Sequence, residues 1–299
     1  MHNRPAGIRS RCWTTARLSV AACALGLGLS AFGTPRPATA AYLEVRYEVH
    51  LGVLPFRLAT GILKADVSDR GRYVVDVKGS GWGFGLSAKS LGQVNAGAIS
   101  PVSAAFDTRD SKNPKRSIRM ALAGGTVRSL NVTPAVEPSE DRVPITEDSR
   151  RGVIDPLSAM LMPVSTSGNP LAPDKCDRTL RIFEGTERFD IALSYSRTEN
   201  VKSQKGYQGN VLVCRASYRA VAGHRAGKKQ VQYMEQNRNI EVWLAPAAGM
   251  PVLVPWRISV GTMVGTLVIE ATQFTASGTR ERTTSAELDE DPVNTGSTK

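Results

Sequence analysis

Strict alternation of apolar and polar residues, broken at short intervals by Gly, Asn and Asp, constrains this chain more than any other feature. Leu43-Glu44-Val45-Arg46-Tyr47-Glu48-Val49-His50 is its cleanest instance. Successive side chains of an extended backbone point to opposite faces, so a period of two buries one face and wets the other. Comparable stretches follow at 56–67, 72–79, 115–122, 126–133, 179–195, 208–221, 229–235, 239–245, 252–260 and 263–274. Tight turns such as Ser68-Asp69-Arg70-Gly71 and Ala123-Gly124-Gly125 separate them. Strands joined this closely pair antiparallel, because a parallel crossover needs a dozen or more residues. The expected fold class is therefore mainly β: a long, curled antiparallel sheet, a half-open roll or spiral barrel, with one short buried helix.

The helix is expected at 155–163. Asp155 is a capping residue type, Pro156 suits the first helical position, and Pro163 closes the apolar run Leu157-Ser158-Ala159-Met160-Leu161-Met162. Being apolar nearly all round, it belongs inside, against the concave face of the sheet. The stretch 134–151 is Pro-rich and charged and reads as an exposed connection. Two lobes, 41–133 and 175–277, are expected to share one sheet around this helical plug, making 41–277 a single domain. From 278 to 299 the composition turns to Thr, Ser, Glu and Asp without periodicity, the pattern of a disordered tail. In Gly79-Ser80-Gly81-Trp82-Gly83-Phe84-Gly85-Leu86 alternate glycines would leave one face of a strand bare and put Trp82, Phe84 and Leu86 on the other.

The amino terminus carries Arg4, Arg9, Arg11 and Arg17 and no acidic residue, followed by the apolar stretch 18–33 and then Ala38-Thr39-Ala40. A basic flank, a short apolar run and small residues at alternate positions describe a signal peptide, expected to be cleaved after Ala40. A lipobox-like reading of Val20-Ala21-Ala22-Cys23 fits less well, since the apolar run continues past Cys23. No apolar run reaches the roughly eighteen residues of a spanning helix, so the chain is not expected to span a membrane. Residues 1–40 hold five of the 38 basic residues and none of the 27 acidic ones, leaving 33 against 27 and a net charge of +6. Charge so modest and scattered is not a nucleic-acid footprint. The exported chain keeps Cys176 and Cys214, and an oxidising compartment makes a disulfide between them the default expectation.

The second lobe carries a set of motifs: Cys176, then Arg181-Ile182-Phe183-Glu184-Gly185-Thr186-Glu187-Arg188-Phe189-Asp190, then Val213-Cys214-Arg215-Ala216-Ser217-Tyr218 with Val221-Ala222-Gly223-His224. Ile240-Glu241-Val242-Trp243-Leu244-Ala245-Pro246, Val252-Leu253-Val254-Pro255 and Gly265-Thr266-Leu267 follow. Over roughly 43–275 this resembles the domain-of-unknown-function family 3108 of exported bacterial proteins, with its Cys, "DGxxR(Y/F)D", "CxxxY…GH" and "VWL…P…G" elements. Tyr47, Gly52 and Gly61 match in the first lobe, and Glu184 departs from the family's Asp. The resemblance implies a periplasmic protein with a long curled antiparallel sheet, and it implies no known reaction. Broadly similar sheets occur in lipoprotein carriers and envelope-integrity proteins, whose concave apolar face can hold an acyl chain or a helix.

Three His and four Cys leave a thin catalytic inventory. His224, His50, Asp155, Ser158 and Asp190 are its pieces, with neither a G-x-S-x-G elbow nor a zinc-ligand spacing around them. The chain is expected to be non-enzymatic, without cofactor or metal. Phe56, Leu58, Trp82, Phe84, Met160, Met162, Trp243 and Trp256 are the candidate lining of an apolar groove on the concave side. The expected ligand is a lipid, a lipoprotein or a peptide segment, in cell-envelope homeostasis, with the 155–163 segment occupying the groove and moving aside. The alternatives are a scaffold that binds another envelope protein through a sheet edge and, behind it, a hydrolase.

Overall fold

The computed structural model describes residues 39–52, 54, 56–95, 97–111, 115–165, 167–202 and 206–281. The first lobe is an unbroken meander: β1 Thr39–Leu51, β2 Arg57–Ser68, β3 Arg72–Gly81, β4 Phe84–Asn95, β5 Ala98–Asp110, β6 Arg116–Ala123 and β7 Thr126–Thr133. A connection containing α1, Pro156–Ala159, and the two-residue β8, Met162–Pro163, leads to the second lobe. That lobe contains β9 Arg178–Phe183, β10 Arg188–Lys202, β11 Gln208–Ala222, α2 Lys229–Gln236, β12 Ile240–Pro246, β13 Val252–Thr262 and β14 Gly265–Glu281.

All fourteen strands belong to one antiparallel sheet in the order β7-β6-β5-β4-β3-β2-β1-β14-β13-β12-β11-β10-β9, with β8 added on β13. The first and last long strands pair in the middle, from Thr39 opposite Glu281 to Leu51 opposite Leu267. This joins the two lobes, as the sequence leads one to expect. The sheet curls without closing, because β7 and β9 do not pair. A short segment spans the gap instead: Val153 N donates to Gly125 O (2.8 Å), Ile154 N to Arg181 O (2.8 Å), and Phe183 N to Ile154 O (2.9 Å).

Odd residues of the first strands, among them Leu43, Val45, Leu63, Ala65, Tyr73 and Val75, point inward and are buried. They form a single core with Val153, Leu157 and Leu161 of the plug and with Val211, Val213, Trp243, Val254 and Trp256 of the second lobe. Strands β10 to β13 are covered on the other face too. There Leu193, Leu212, Cys214, Leu244 and Leu253 pack against Met162, Val164 and Cys176 of the connection. The Cys176–Cys214 disulfide lies within this second cluster, its Cα atoms 5.6 Å apart.

Five expectations are corrected. The helix at 155–163 shrinks to one turn at Pro156–Ala159, because the backbone of Met162 and Pro163 is taken up by β13 opposite Leu253 and Val252. The stretch 229–235 is the helix α2, not a strand; Lys, Gln, Met and Glu are good helix formers and the pattern there carries no clean period of two. The stretch 179–195 is two strands, since Gly185 at φ +104° turns the chain between β9 and β10. Residues 79–86 are not one strand: Trp82-Gly83, with Gly83 at φ +69°, forms a two-residue turn, and Gly79 and Gly81 lie opposite Leu86 and Phe84 on a shared face. The boundary expected at 278 falls inside a strand, because β14 runs on to Glu281 against β1.

Strands β4 and β5 were not expected; their Ser, Ala and Gly have little strand propensity, and the long registers with their neighbours supply the pairing. The connection 134–151 is mostly exposed but is pinned where Val143 N donates to His224 O and Gly223 N to Val143 O. The signal-peptide expectation lies outside the described residues except for Thr39 and Ala40, which begin β1. Residues 282–299 of the expected tail also lie outside them.

The disulfide closes a loop of sequence separation 38. Replacing both cysteines by Ser should lower the unfolding free energy by about 4 kcal/mol. Urea denaturation of the variant against the oxidised parent measures this.

Candidate functional site

Two structures set the limits of the candidate site. The first is the buried polar joint that fixes the plug. Asp155 caps α1, its Oδ1 accepting from the backbone N–H of Leu157 (2.9 Å) and Ser158 (3.1 Å). Its Oδ2 accepts from Ser90 Oγ at 2.9 Å and from Ser158 Oγ. Tyr73 OH lies 2.6 Å from Ser158 Oγ. Asp155, Ser158 and Ser90 are fully buried. Burial raises the carboxyl of Asp155 above the usual aspartate range despite the hydrogen bonds it accepts, and pushes the Tyr73 phenol up to about 12. This joint locks the plug to β3 and β4. Moving the segment aside would break the bonds that cross to the sheet, Ser90 to Asp155 and Tyr73 and Ser90 to Ser158, at about 1–3 kcal/mol for each buried group left unpaired.

The second is the arch formed by the motifs of the second lobe. Gly185 brings the β9–β10 turn against Ile118 of β6; a Cβ there would lie 2.5 Å from Ile118 Cγ2. Gly223, at φ +82°, lies so close to the same turn that a Cβ would sit 2.0 Å from Thr186 O. Glu184 accepts from the Thr186 N–H at 3.1 Å, so the residue that departs from the family pattern still makes the turn. Next to it, Asp190 accepts from Arg188 and Arg219, each at 2.5 Å, and both Asp190 and Arg188 are buried. Burial works against the Asp190 charge, but hydrogen bonds from Arg219 and Arg188 outweigh it and hold the carboxyl below the usual range.

Between this arch and the inner face of the sheet lies a cleft of about 710 Å³ at the mouth of the roll. Phe84, Thr108, Asp110 and Arg116 line it from the sheet, Pro134 to Glu137 and Arg142 from the connection, and Thr186, Glu187 and Lys228 from the second lobe. It shares Ala135, Val136, Glu137, Arg142 and Thr186 with a neighbouring hollow of about 440 Å³ whose other walls are largely apolar, including Leu130, Val132, Pro144 and Ile145. The site is therefore amphipathic, with charged groups at the mouth and an apolar recess beside it. Burial, together with the neighbouring Glu184, raises the carboxyl of Glu187, while His224, Arg142 and Lys228 oppose the rise.

The residues expected to line one groove fall into three places. Trp243 and Trp256 are buried in the core with the plug, and Met160 packs half-buried against them. Met162 is buried in the second cluster, on the opposite face. Phe84 lines the mouth cleft, while Phe56 and Trp82 stand at the rim with ring centroids 5.4 Å apart; Leu58, also on that side, is partly buried. Of the suggested catalytic pieces, Asp155 and Ser158 meet in the polar joint and His50 pairs with Glu48 on the exterior. Arg116, Arg142 and Lys228 were not expected at a site: Arg116 and Lys228 belong to the short basic groups 112–116 and 224–229, which read as solvated surface, and Arg142 carries no period or motif that would mark it.

A family model described as "Protein of unknown function (DUF3108)" matches residues 46–272. No curated protein matches the chain. Among solved structures, the β-barrel-like protein of domain of unknown function DUF1849 from Brucella abortus is similar at 8% identity, over 81% of this chain and 99% of that one, with a TM-score of 0.46.

Asp190→Ala should cost about 3–5 kcal/mol by leaving buried Arg188 uncompensated, measured by chemical denaturation near neutral pH. Asp155 yields a pH prediction of opposite sign to a salt-bridged carboxylate. Its folded-state pKa is raised, so the folded protein keeps a proton that the unfolded chain has lost. Stability then falls as pH rises from the ordinary aspartate value through the raised one. Asp155→Asn, which keeps a capping oxygen, should flatten that fall in unfolding curves taken across the same pH range.

Proposed function

We propose, for a chain that belongs to the DUF3108 family of proteins of unknown function, a non-catalytic role: holding an amphipathic ligand in the mouth of the roll, as a periplasmic protein of cell-envelope homeostasis. The ligand class is a lipid, the acylated end of a lipoprotein or an apolar peptide segment. One observation carries the reading: a cleft lined by both signs of charge, Arg116, Arg142 and Lys228 together with Asp110, Glu137 and Glu187, opens into an apolar recess. A polar head group would lie among these charges, its anionic part against the cations, and an apolar chain would be removed from water at roughly 25 cal/mol per Å². The plug stays in place; the ligand occupies the space in front of it.

The groups most suggestive of catalysis have structural duties that support this reading. Asp155 and Ser158 cap and anchor the plug, and Asp190 neutralises two arginines. Export is supported by the disulfide, which persists in oxidising compartments. Among the described residues no helix is long and apolar enough to cross a membrane. The scaffold alternative has one observation in its favour: among the described residues, β7 pairs with β6 and offers its other edge to an added strand.

Native mass spectrometry of the protein from its own host, with lipid extraction of the same sample, tests the proposal. A bound mass lost on denaturation is expected, with at least a tenfold drop in occupancy on Arg142→Glu combined with Val136→Asp. A clean apo mass overturns it, as does a ligand that those substitutions leave in place. A stable protein complex with no small ligand moves the assignment to the free edge of β7.

A further inference from the structure

The mouth side of the sheet is also where its hairpin tips gather. The β13–β14 turn, the β1–β2 loop and the β3–β4 turn follow one another along this rim, because their strands are neighbours in the sheet order. Eight large hydrophobic side chains are exposed among the described residues, and five of them are here: Phe56, Trp82, Phe84, Met263 and Val264. The two most exposed of all are Trp82 at 80% and Val264 at 69%. Isolated exposed apolar residues need no explanation, but a row of them on successive tips marks an interaction surface. Trp82 and Phe56 stack nearly parallel, 7° apart, which presents two rings as one rigid wedge.

Directly beside this wedge, on the outer face of β2 to β5, is a hollow of about 590 Å³. Lys78, Arg109 and Lys115 line it along with the hydroxyls of Thr60, Ser80 and Ser87. Gly85 contributes no side chain, and the guanidinium of Arg109 lies across it, 3.8 Å from where a Cβ would stand. Lys78 and Arg109 form no ion pair among the described residues. The carboxylate in the lining, Asp107, is engaged by Ser117 at 2.7 Å and Arg119 at 2.8 Å, which hold its pKa low, and lies at a looser 4.0 Å from Lys115. The hollow thus offers cations and hydroxyl donors, the chemistry that recognises a phosphate diester.

We infer that this rim docks the protein on an anionic phospholipid bilayer, the Trp82–Phe56 wedge and Met263-Val264 entering the interface while Lys78, Arg109 and Lys115 take up lipid head groups. Three physical facts favour a bilayer over a protein partner. The apolar side chains stand on separate tips and not on a flat contiguous face. The most exposed aromatic is a Trp, the residue that settles at the membrane–water boundary. Charge and apolar surface are adjacent, the combination that anchors a peripheral protein. The mouth cleft would then open next to the bilayer. The inference does not depend on that cleft holding a ligand.

Tryptophan emission of the chain from Ala41 onward, freed of the basic leader that would itself bind anionic vesicles, supplies the test. Of its three tryptophans Trp243 and Trp256 are buried, so a shift reports Trp82. Vesicles of phosphatidylethanolamine with phosphatidylglycerol should shift the emission to the blue, vesicles of phosphatidylcholine should not, and added salt should reverse the shift. Lys78→Glu with Arg109→Glu should weaken binding by about tenfold or more, and Met263→Asp with Val264→Asp should weaken it similarly, each with thermal unfolding unchanged. Emission that stays at the solvent-exposed value, equal binding to neutral vesicles, or charge-reversed protein that binds like the parent would each overturn the inference. Arg142→Glu with Val136→Asp should leave vesicle binding intact, so a failed docking surface and a failed ligand cleft give different results.

Discussion

A single buried carboxyl group, that of Asp155, determines how the inside of this molecule is filled. An open sheet curled into a roll cannot close its interior with its own side chains, because the two edge strands never meet. The connection between lobes supplies the missing volume, and its apolar turn would have no fixed place without a directional anchor. Asp155 provides one by accepting from two backbone N–H groups of its own turn and from hydroxyls of β4 and the turn itself. Leu157 and Leu161 are thereby aimed into the core. The polar joint costs desolvation, seen in the raised pKa, and in exchange specifies one arrangement of plug and sheet.

The plug then dictates what is left over. With the deep interior occupied, the cleft on the inner side of the roll lies at the mouth, where the arch of Gly185 and Gly223 stands across from the inner face of β4 to β6. Both glycines are held to no side chain by contact distance as well as by backbone angle. The arch is rigid on its flank through the Arg188–Asp190–Arg219 bridge. A rim held in this way around a small amphipathic cleft suits the proposed binding role better than a gating one.

Much of the fold was legible because its signals are local. The period of two identified β1 and most of its neighbours, Asp155-Pro156 marked the start of α1, and the cysteine count led to the disulfide. Strands β4 and β5 were not legible, because Ser87, Ser90, Ala104 and Ala105 pair by virtue of strands on either side, not by their own propensity. The candidate site was only partly visible. Periodicity says which face a Trp occupies but not whether that face is already filled, so Trp243 and Trp256 looked like lining and are core. Trp82 was grouped with them because one glycine too many hid a turn; Gly83 sends it to a hairpin tip instead. Arg142 and Lys228 reach the cleft from separate parts of the chain, and only the folded geometry brings them together.

The pairing of the first and last strands has a consequence for how the chain comes to fold. Tyr47 of β1 donates to Pro255 O across a sequence separation of 208 residues, and β14 is added to β1 later still. Contacts this distant in sequence make for slow folding, since loop-closure entropy is lost before they form. Until β14 is in place the inner edge of β1 is bare, and a bare strand edge is prone to pairing with the wrong neighbour. The sheet is also unequal in its tolerance of damage. Losing β7 or β9 trims a margin, whereas losing the last strand made would open the sheet at its centre and part the two lobes.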